Sequence, residues 1–114
     1  MDNETILQKT YDFLKTMIVQ IANFPRDQRF LIGERIQVLI CDLIELYIEA
    51  YYLPPSEKKA KLNIANISLE KIRYYVRLGN DLGFYGSGKY KQISEQIQEL
   101  GRMTGGWIKS LEKK

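Results

Sequence analysis

The sequence contains no histidine and only one cysteine, Cys41. Histidine is the usual general base near neutral pH and the commonest transition-metal ligand, so its absence removes most acid–base and metal chemistry. One thiol cannot close an internal disulfide, and without imidazole beside it a structural zinc site is excluded too. No catalytic residue, metal or cofactor is therefore expected. Proline is scarce and confined to Pro25 and the pair Pro54-Pro55, which leaves long stretches free of breakers. No apolar run approaches the roughly 20 residues of a membrane span. The start, Met1-Asp2-Asn3-Glu4, is acidic where a secretory leader begins basic. The expectation is a cytoplasmic protein with no membrane partner.

What remains is periodic. The 114 residues make one domain, 1–114, large enough to bury roughly two-thirds of its unfolded surface without staples. A first helix runs from about Glu4 to Ala22, with Leu7, Tyr11, Leu14, Met17, Ile18 and Ile21 on one face. Pro25 ends it. A second runs from about Asp27 to Tyr52, with Ile32, Ile36, Leu39, Leu43, Leu46, Tyr47 and Ala50 in one stripe. Ile40, Ile44, Ile48 and Tyr51 form a second stripe beside it, more apolar surface than a simple bundle core needs. The surplus predicts a subunit interface. Leu53-Pro54-Pro55-Ser56 is a stop and restart, with Ser56 as N-cap and Glu57 suited to the helix dipole.

The third helix reaches about Leu82, with Leu62, Ala65, Leu69, Ile72, Val76 and Leu78 inward or nearly so. Gly83, Gly86 and Gly88 break it, and Ser87 can cap a fourth helix reaching about Leu111. The fourth carries Ile93, Ile97, Leu100, Thr104, Ile108 and Leu111 on its apolar side. Loops this short force antiparallel neighbours, so the fold class is all-α, an up-down-up-down four-helix bundle.

The chemistry-bearing patterns are few. Gly83-Phe84-Tyr85-Gly86-Ser87-Gly88-Lys89 has phosphate-loop spacing, but Tyr90 stands where a magnesium-binding hydroxyl belongs, and a helix precedes it instead of a strand. Helix-ending glycines explain it better. Asp42, Glu45 and Glu49 share a face of the second helix, yet paired-metal bundles need Glu-x-x-His motifs. The basic residues say more. Arg73 and Arg77 project together with Tyr74 and Tyr75 between them, a pattern that can join phosphate contact to base stacking. Arg26 and Arg29 begin the second helix, and Lys58, Lys59 and Lys61 the third, where the dipole disfavours cations. Arg102, Lys109, Lys113 and Lys114 make the last helix basic. The bland alternative, equally open on the residues alone, is that Glu45 and Glu49 neutralise Arg73 and Arg77 across an antiparallel pair. Gly101 and Gly105 inside the last helix predict a close approach to another helix, as does Gly33 in the second. Trp107 fits either the core or a protein contact.

Phe24-Pro25-Arg26-Asp27-Gln28-Arg29-Phe30, Gly33-Glu34-Arg35-Ile36 and Gly101-Arg102-Met103-Thr104-Gly105-Gly106-Trp107-Ile108-Lys109-Ser110 resemble the accessory variability determinant (Avd) family of diversity-generating retroelements. The likeness spans nearly the whole chain. A related family, the bundle proteins encoded in intervening sequences of bacterial ribosomal RNA genes, carries an Asn-Ile-Ala-Glu-Gly stretch; here Asn63-Ile64-Ala65-Asn66-Ile67 stops short of it. The resemblance implies a non-enzymatic accessory protein, a homopentameric barrel with a basic surface. Such a protein binds the reverse transcriptase and its template RNA or cDNA during error-prone copying. It also implies roles for residues. Arg73, Arg77, Arg26, Arg29, Arg102 and Lys109 become candidate nucleic-acid or polymerase contacts, and Ile40, Ile44, Ile48, Tyr51 and Trp107 candidate subunit interface. The alternatives are an intervening-sequence bundle protein and a structural oligomer that binds no nucleic acid.

Overall fold

Helix accounts for almost every position the computed structural model describes, residues 3–112 with side chains from Thr5 onward. Helix α1 spans Asn3–Ile21. After Pro25 a single turn, α2 (Arg26–Gln28), passes through a π-helical turn, Arg29–Gly33, into α3 (Glu34–Tyr52). Two long helices follow, α4 (Pro55–Asp81) and α5 (Lys89–Glu112). Each long helix packs against its chain neighbours, and α1 closes the ring against α5. The result is the antiparallel up-down-up-down bundle, 48 × 24 × 20 Å. No helix among the described residues is long and apolar enough to cross a membrane. Lys113 and Lys114, counted with the basic end of the last helix, lie outside the described residues.

The breaks fall where proline and glycine put them, though the caps differ from expectation. Pro54 precedes α4 and Pro55 is its first residue, so Ser56 lies inside the helix and caps nothing. Gly83 and Gly88 take φ of +77° and +79°, which a side chain disfavours. Gly88, one residue beyond Ser87, directly precedes α5, its carbonyl accepting from the Gln92 amide. Between them the Tyr85 hydroxyl donates to the Val76 carbonyl at 3.1 Å, and Phe24 packs on Phe84 at 4.9 Å. These rings close one end of the bundle.

The core is a single cluster contributed by all four rods, with Ile6, Phe13, Met17, Ile36, Leu43, Leu62, Leu69, Ile72, Ile93 and Leu100 among its buried members. Each such side chain contributes about 1.5–3 kcal/mol by leaving water. Three sequence expectations are corrected here. In α1 the inward face is Ile6, Thr10, Phe13, Met17 and Gln20, while Tyr11 and Ile18 are exposed. Thr10 turns inward because its hydroxyl donates to the Ile6 carbonyl at 2.7 Å, leaving no unmet polar group. In α3 Ile40 is fully buried, and in α5 Trp107 is 3% exposed. Both belong to the chain's own core and contribute to no surface. Leu78, placed nearly inward by periodicity, lies on the outer side of α4.

At the centre, α3 and α5 meet across the bundle diagonal. The Tyr47 and Thr104 hydroxyls are 2.6 Å apart, and Thr104 also lies 2.7 Å from the Leu100 carbonyl. Gly33 is a true close approach. A Cβ there would stand 2.6 Å from Ile21 Cγ2 and 3.3 Å from the Gln28 carbonyl oxygen. Gly33→Ala is therefore expected to cost about 1–3 kcal/mol by overpacking. Urea unfolding measures it, and an unchanged midpoint would mean the α1 end yields without strain.

Candidate nucleic-acid interface

The ion pairs of α4 follow from where the chain turns. With the bend at Leu53-Pro54, Glu49 comes opposite Lys61, and their charged groups pair at 3.2 Å. Arg73 lies 12 residues further along α4, about 18 Å away, beyond reach of Glu45 or Glu49. Its partner is Glu70, at 3.1 Å on its own helix, and Arg77 pairs with Asp81 at 3.9 Å. Neutralisation of the two arginines by the second rod is thus corrected by register. Lys59 bridges to Glu112 at 2.8 Å, so part of the lysine cluster at the start of α4 ties helix ends together.

Arg73 and Arg102, 29 residues apart in sequence, come together instead. They flank a groove between α4 and α5 of about 620 Å³, lined also by Asn66, Ile67, Glu70, Gln98 and Gly101. Gly101 forms its floor: a Cβ there would meet nothing nearer than the Arg73 guanidinium, at 3.8 Å. A Cβ at Gly105 would meet nothing within 4 Å. The expected close helix approach at these glycines is absent within the chain; Gly101 lowers the groove instead. Arg102 pairs with Glu99 on its bank. Such exposed pairs are worth about 0–1 kcal/mol, so either guanidinium can exchange its carboxylate for a phosphate at small cost. A planar guanidinium takes phosphate in bidentate fashion.

The other candidates extend this picture or fall outside it. Arg77 is one turn beyond Arg73 in the same row, and Lys109 is seven residues, about two turns, beyond Arg102 on its face. Both are exposed. Arg26 and Arg29 sit on the connection after α1, beside Phe30 and Leu31, which are 68% and 63% exposed. Tyr74 faces outward, while Tyr75 packs against the core, so the two tyrosines do not form one stacking platform. The phosphate-loop spacing at Gly83–Lys89 is a glycine turn between helices, as its sequence context required. Among the described residues no group of acidic or cysteine side chains is arranged to hold a metal.

Two apolar surfaces lie outside the core, one expected in part from the second stripe of α3 and one missed. One is a pair of separate hollows along α1 and α3, the first lined by Leu7, Ile48, Tyr51 and Tyr52 and the second by residues that include Ile18, Ala22 and Phe30. Of the interface candidates, Ile48 and Tyr51 are exposed here and Ile44 is half-buried. The other is a stripe along the outside of α4 at Ile64, Ile67, Tyr74 and Leu78. The signal was available, since these positions recur at spacings of three, seven and four residues, but the inward stripe of the same helix masked it.

Comparison with curated proteins gives no match. A family model described as bAvd-like matches residues 5–111, a span that takes in all four rods, both proline breaks and the Gly-Gly-Trp-Ile-Lys-Ser ending. With the bundle, the groove between its last two helices and a match over nearly its whole length, the chain belongs to the bAvd-like family.

Proposed function

We propose that this chain is a non-enzymatic accessory protein of a diversity-generating retroelement. It works as a homo-oligomer, a pentameric barrel by family resemblance, that holds template RNA or cDNA beside the reverse transcriptase. The observation that carries the nucleic-acid part is the meeting of Arg73 and Arg102 over the Gly101 floor. Arg77 and Lys109 lengthen the two cationic banks. Asn66 and Gln98 add neutral donors and acceptors between them. Contacts of this kind bind phosphate without choosing a sequence, and an oligomer multiplies them into a field that the net charge of +3 per chain does not suggest. Arg26 and Arg29, flanking exposed Phe30 and Leu31, have the aromatic-plus-arginine make-up of a protein contact and are assigned to the polymerase.

The test is RNA binding by gel shift across a salt series. Affinity of the wild type should fall steeply between 50 and 200 mM salt, as counterion release requires. Arg73→Ala/Arg102→Ala should weaken binding by roughly tenfold or more and make the salt dependence shallower. Equal, feeble binding by both proteins would favour a structural oligomer whose cations only solubilise. The existing pairing of Arg73, Arg77 and Arg102 with carboxylates on their own helices favours that second reading.

A further inference from the structure

We infer that the groove between α4 and α5 receives an unpaired nucleobase, so that the protein takes single-stranded nucleic acid in preference to duplex. This rests on the nucleic-acid reading above and adds which part of the strand enters the groove. Charge alone does not account for its lining. Arg73 is paired with Glu70 and Arg102 with Glu99, so the walls are close to neutral. The two arginine side chains are still 43% and 69% exposed, and a guanidinium that uses its edge on a carboxylate keeps its flat face for a ring to stack on. Asn66 and Gln98 line the same groove, and their exposed carboxamides make no side-chain hydrogen bond among the described residues. A carboxamide sets a donor beside an acceptor, and the Watson–Crick edge of a base does the same, so the two can pair. Ile67, 59% exposed on the α4 wall, adds an apolar surface for the face of the ring.

The floor points the same way. Gly101 sits in the interior of α5, where glycine weakens a helix relative to alanine. A Cβ there would be in ordinary contact with the Arg73 guanidinium, at 3.8 Å, so packing among the described residues does not require the glycine. What the missing side chain provides is depth. The groove holds about 620 Å³, within the roughly 300–1,000 Å³ of sites that seat small molecules. A duplex cannot use such a recess, because its bases are paired and stacked inside and its phosphates are what project. A single strand can turn one base out of the stack and into the groove. Arg77 and Lys109 lie beyond the groove toward opposite ends, since the two helices are antiparallel, and are placed for the flanking phosphates.

Fluorescence anisotropy at one salt concentration tests this with three labelled probes: a short oligothymidylate, an abasic strand of equal length, and a duplex of that length. The two single strands carry the same charge, so any difference between them reports the bases. The wild type should bind the oligothymidylate roughly tenfold more tightly than the abasic strand. It should also prefer the oligothymidylate to the duplex, against the higher charge density of paired strands. Gly101→Leu changes no charge and fills the floor. It should bring the oligothymidylate down to the abasic level while the abasic affinity and its salt dependence stay at wild-type values. Circular dichroism checks its fold; if it does not fold, Asn66→Ala/Gln98→Ala, at exposed positions, should narrow the same gap. A wild type that binds the two single strands equally or prefers the duplex, or a folded variant that keeps the full gap, overturns the inference and leaves phosphate binding standing. A wild type that binds no probe overturns both.

Discussion

Replacing Trp107 with alanine should lower the stability of the protein by about 3–5 kcal/mol. The indole is 3% exposed, and its ring lies nearly parallel to that of Tyr47 with centroids 6.4 Å apart. Truncation removes the largest side chain of α5 from the diagonal of the core and leaves a cavity lined by rings and aliphatic groups that cannot collapse freely. Urea unfolding followed by circular dichroism measures the loss, since Trp107 is the sole tryptophan and its fluorescence disappears with it. The midpoint should fall while the slope stays that of the wild type. Trp107→Phe keeps part of the volume and should lose less. A cost below about 1 kcal/mol would place the indole at a surface, where substitutions usually stay within that range.

The second large effect is alkaline. Burial raises the Tyr47 phenol to about 12, against a smaller opposing influence from its hydrogen bond with Thr104. In the unfolded chain the same phenol ionises near its usual value of about 10. Up to that pH both states hold the proton and the contribution to stability is complete. Between about 10 and 12 the unfolded state releases the proton while the folded state keeps it, so stability falls, by roughly 3 kcal/mol over the two units. Tyr85 acts in the same direction, raised first by burial and then by neighbouring Tyr90. Tyr47→Phe should cost about 1 kcal/mol at neutral pH, because Thr104 still has the Leu100 carbonyl as partner. Above pH 10 the variant should lose stability more slowly than the wild type. Denaturation curves at pH 8, 10 and 11 make the comparison. Parallel declines would show that Tyr47 does not hold its proton longer in the folded state.

Much of the fold is legible because its punctuation is strong. Pro25, Pro54-Pro55 and the glycines at 83, 86 and 88 fix the rod ends, and short connections leave only antiparallel neighbours. The face chosen by α1 was not legible. Leu7, Tyr11, Leu14 and Ile18 make a more apolar row than the one that is buried, which contains Thr10 and Gln20. The choice depends on a hydroxyl satisfied within its own helix and on the other apolar row being left for a surface. Ile40 was misplaced because two adjacent stripes of α3 differ by one residue step, and the pattern cannot say which faces home; Trp107 suits a core or a contact equally by its size, and only the fold decides. The meeting of Arg73 with Arg102 depends on helix register, set by pairs such as Lys59–Glu112, and no local pattern carries it. The π turn at Arg29–Gly33 gives no composition signal either.

That turn has a consequence for how the chain can change in length. A π turn holds one residue more than the α-helix would in the same rise. Deleting a single residue between 29 and 33 lets the segment wind as ordinary α-helix in the same rise, so the segments on either side keep their phase. Phe24 would stay seated against Phe84 and Tyr85, and the end of α1 would stay beside the start of α3. This stretch should therefore accept the loss of one residue, whereas the same deletion inside α3, which has no surplus residue to give up, would turn everything before it by about 100° out of phase.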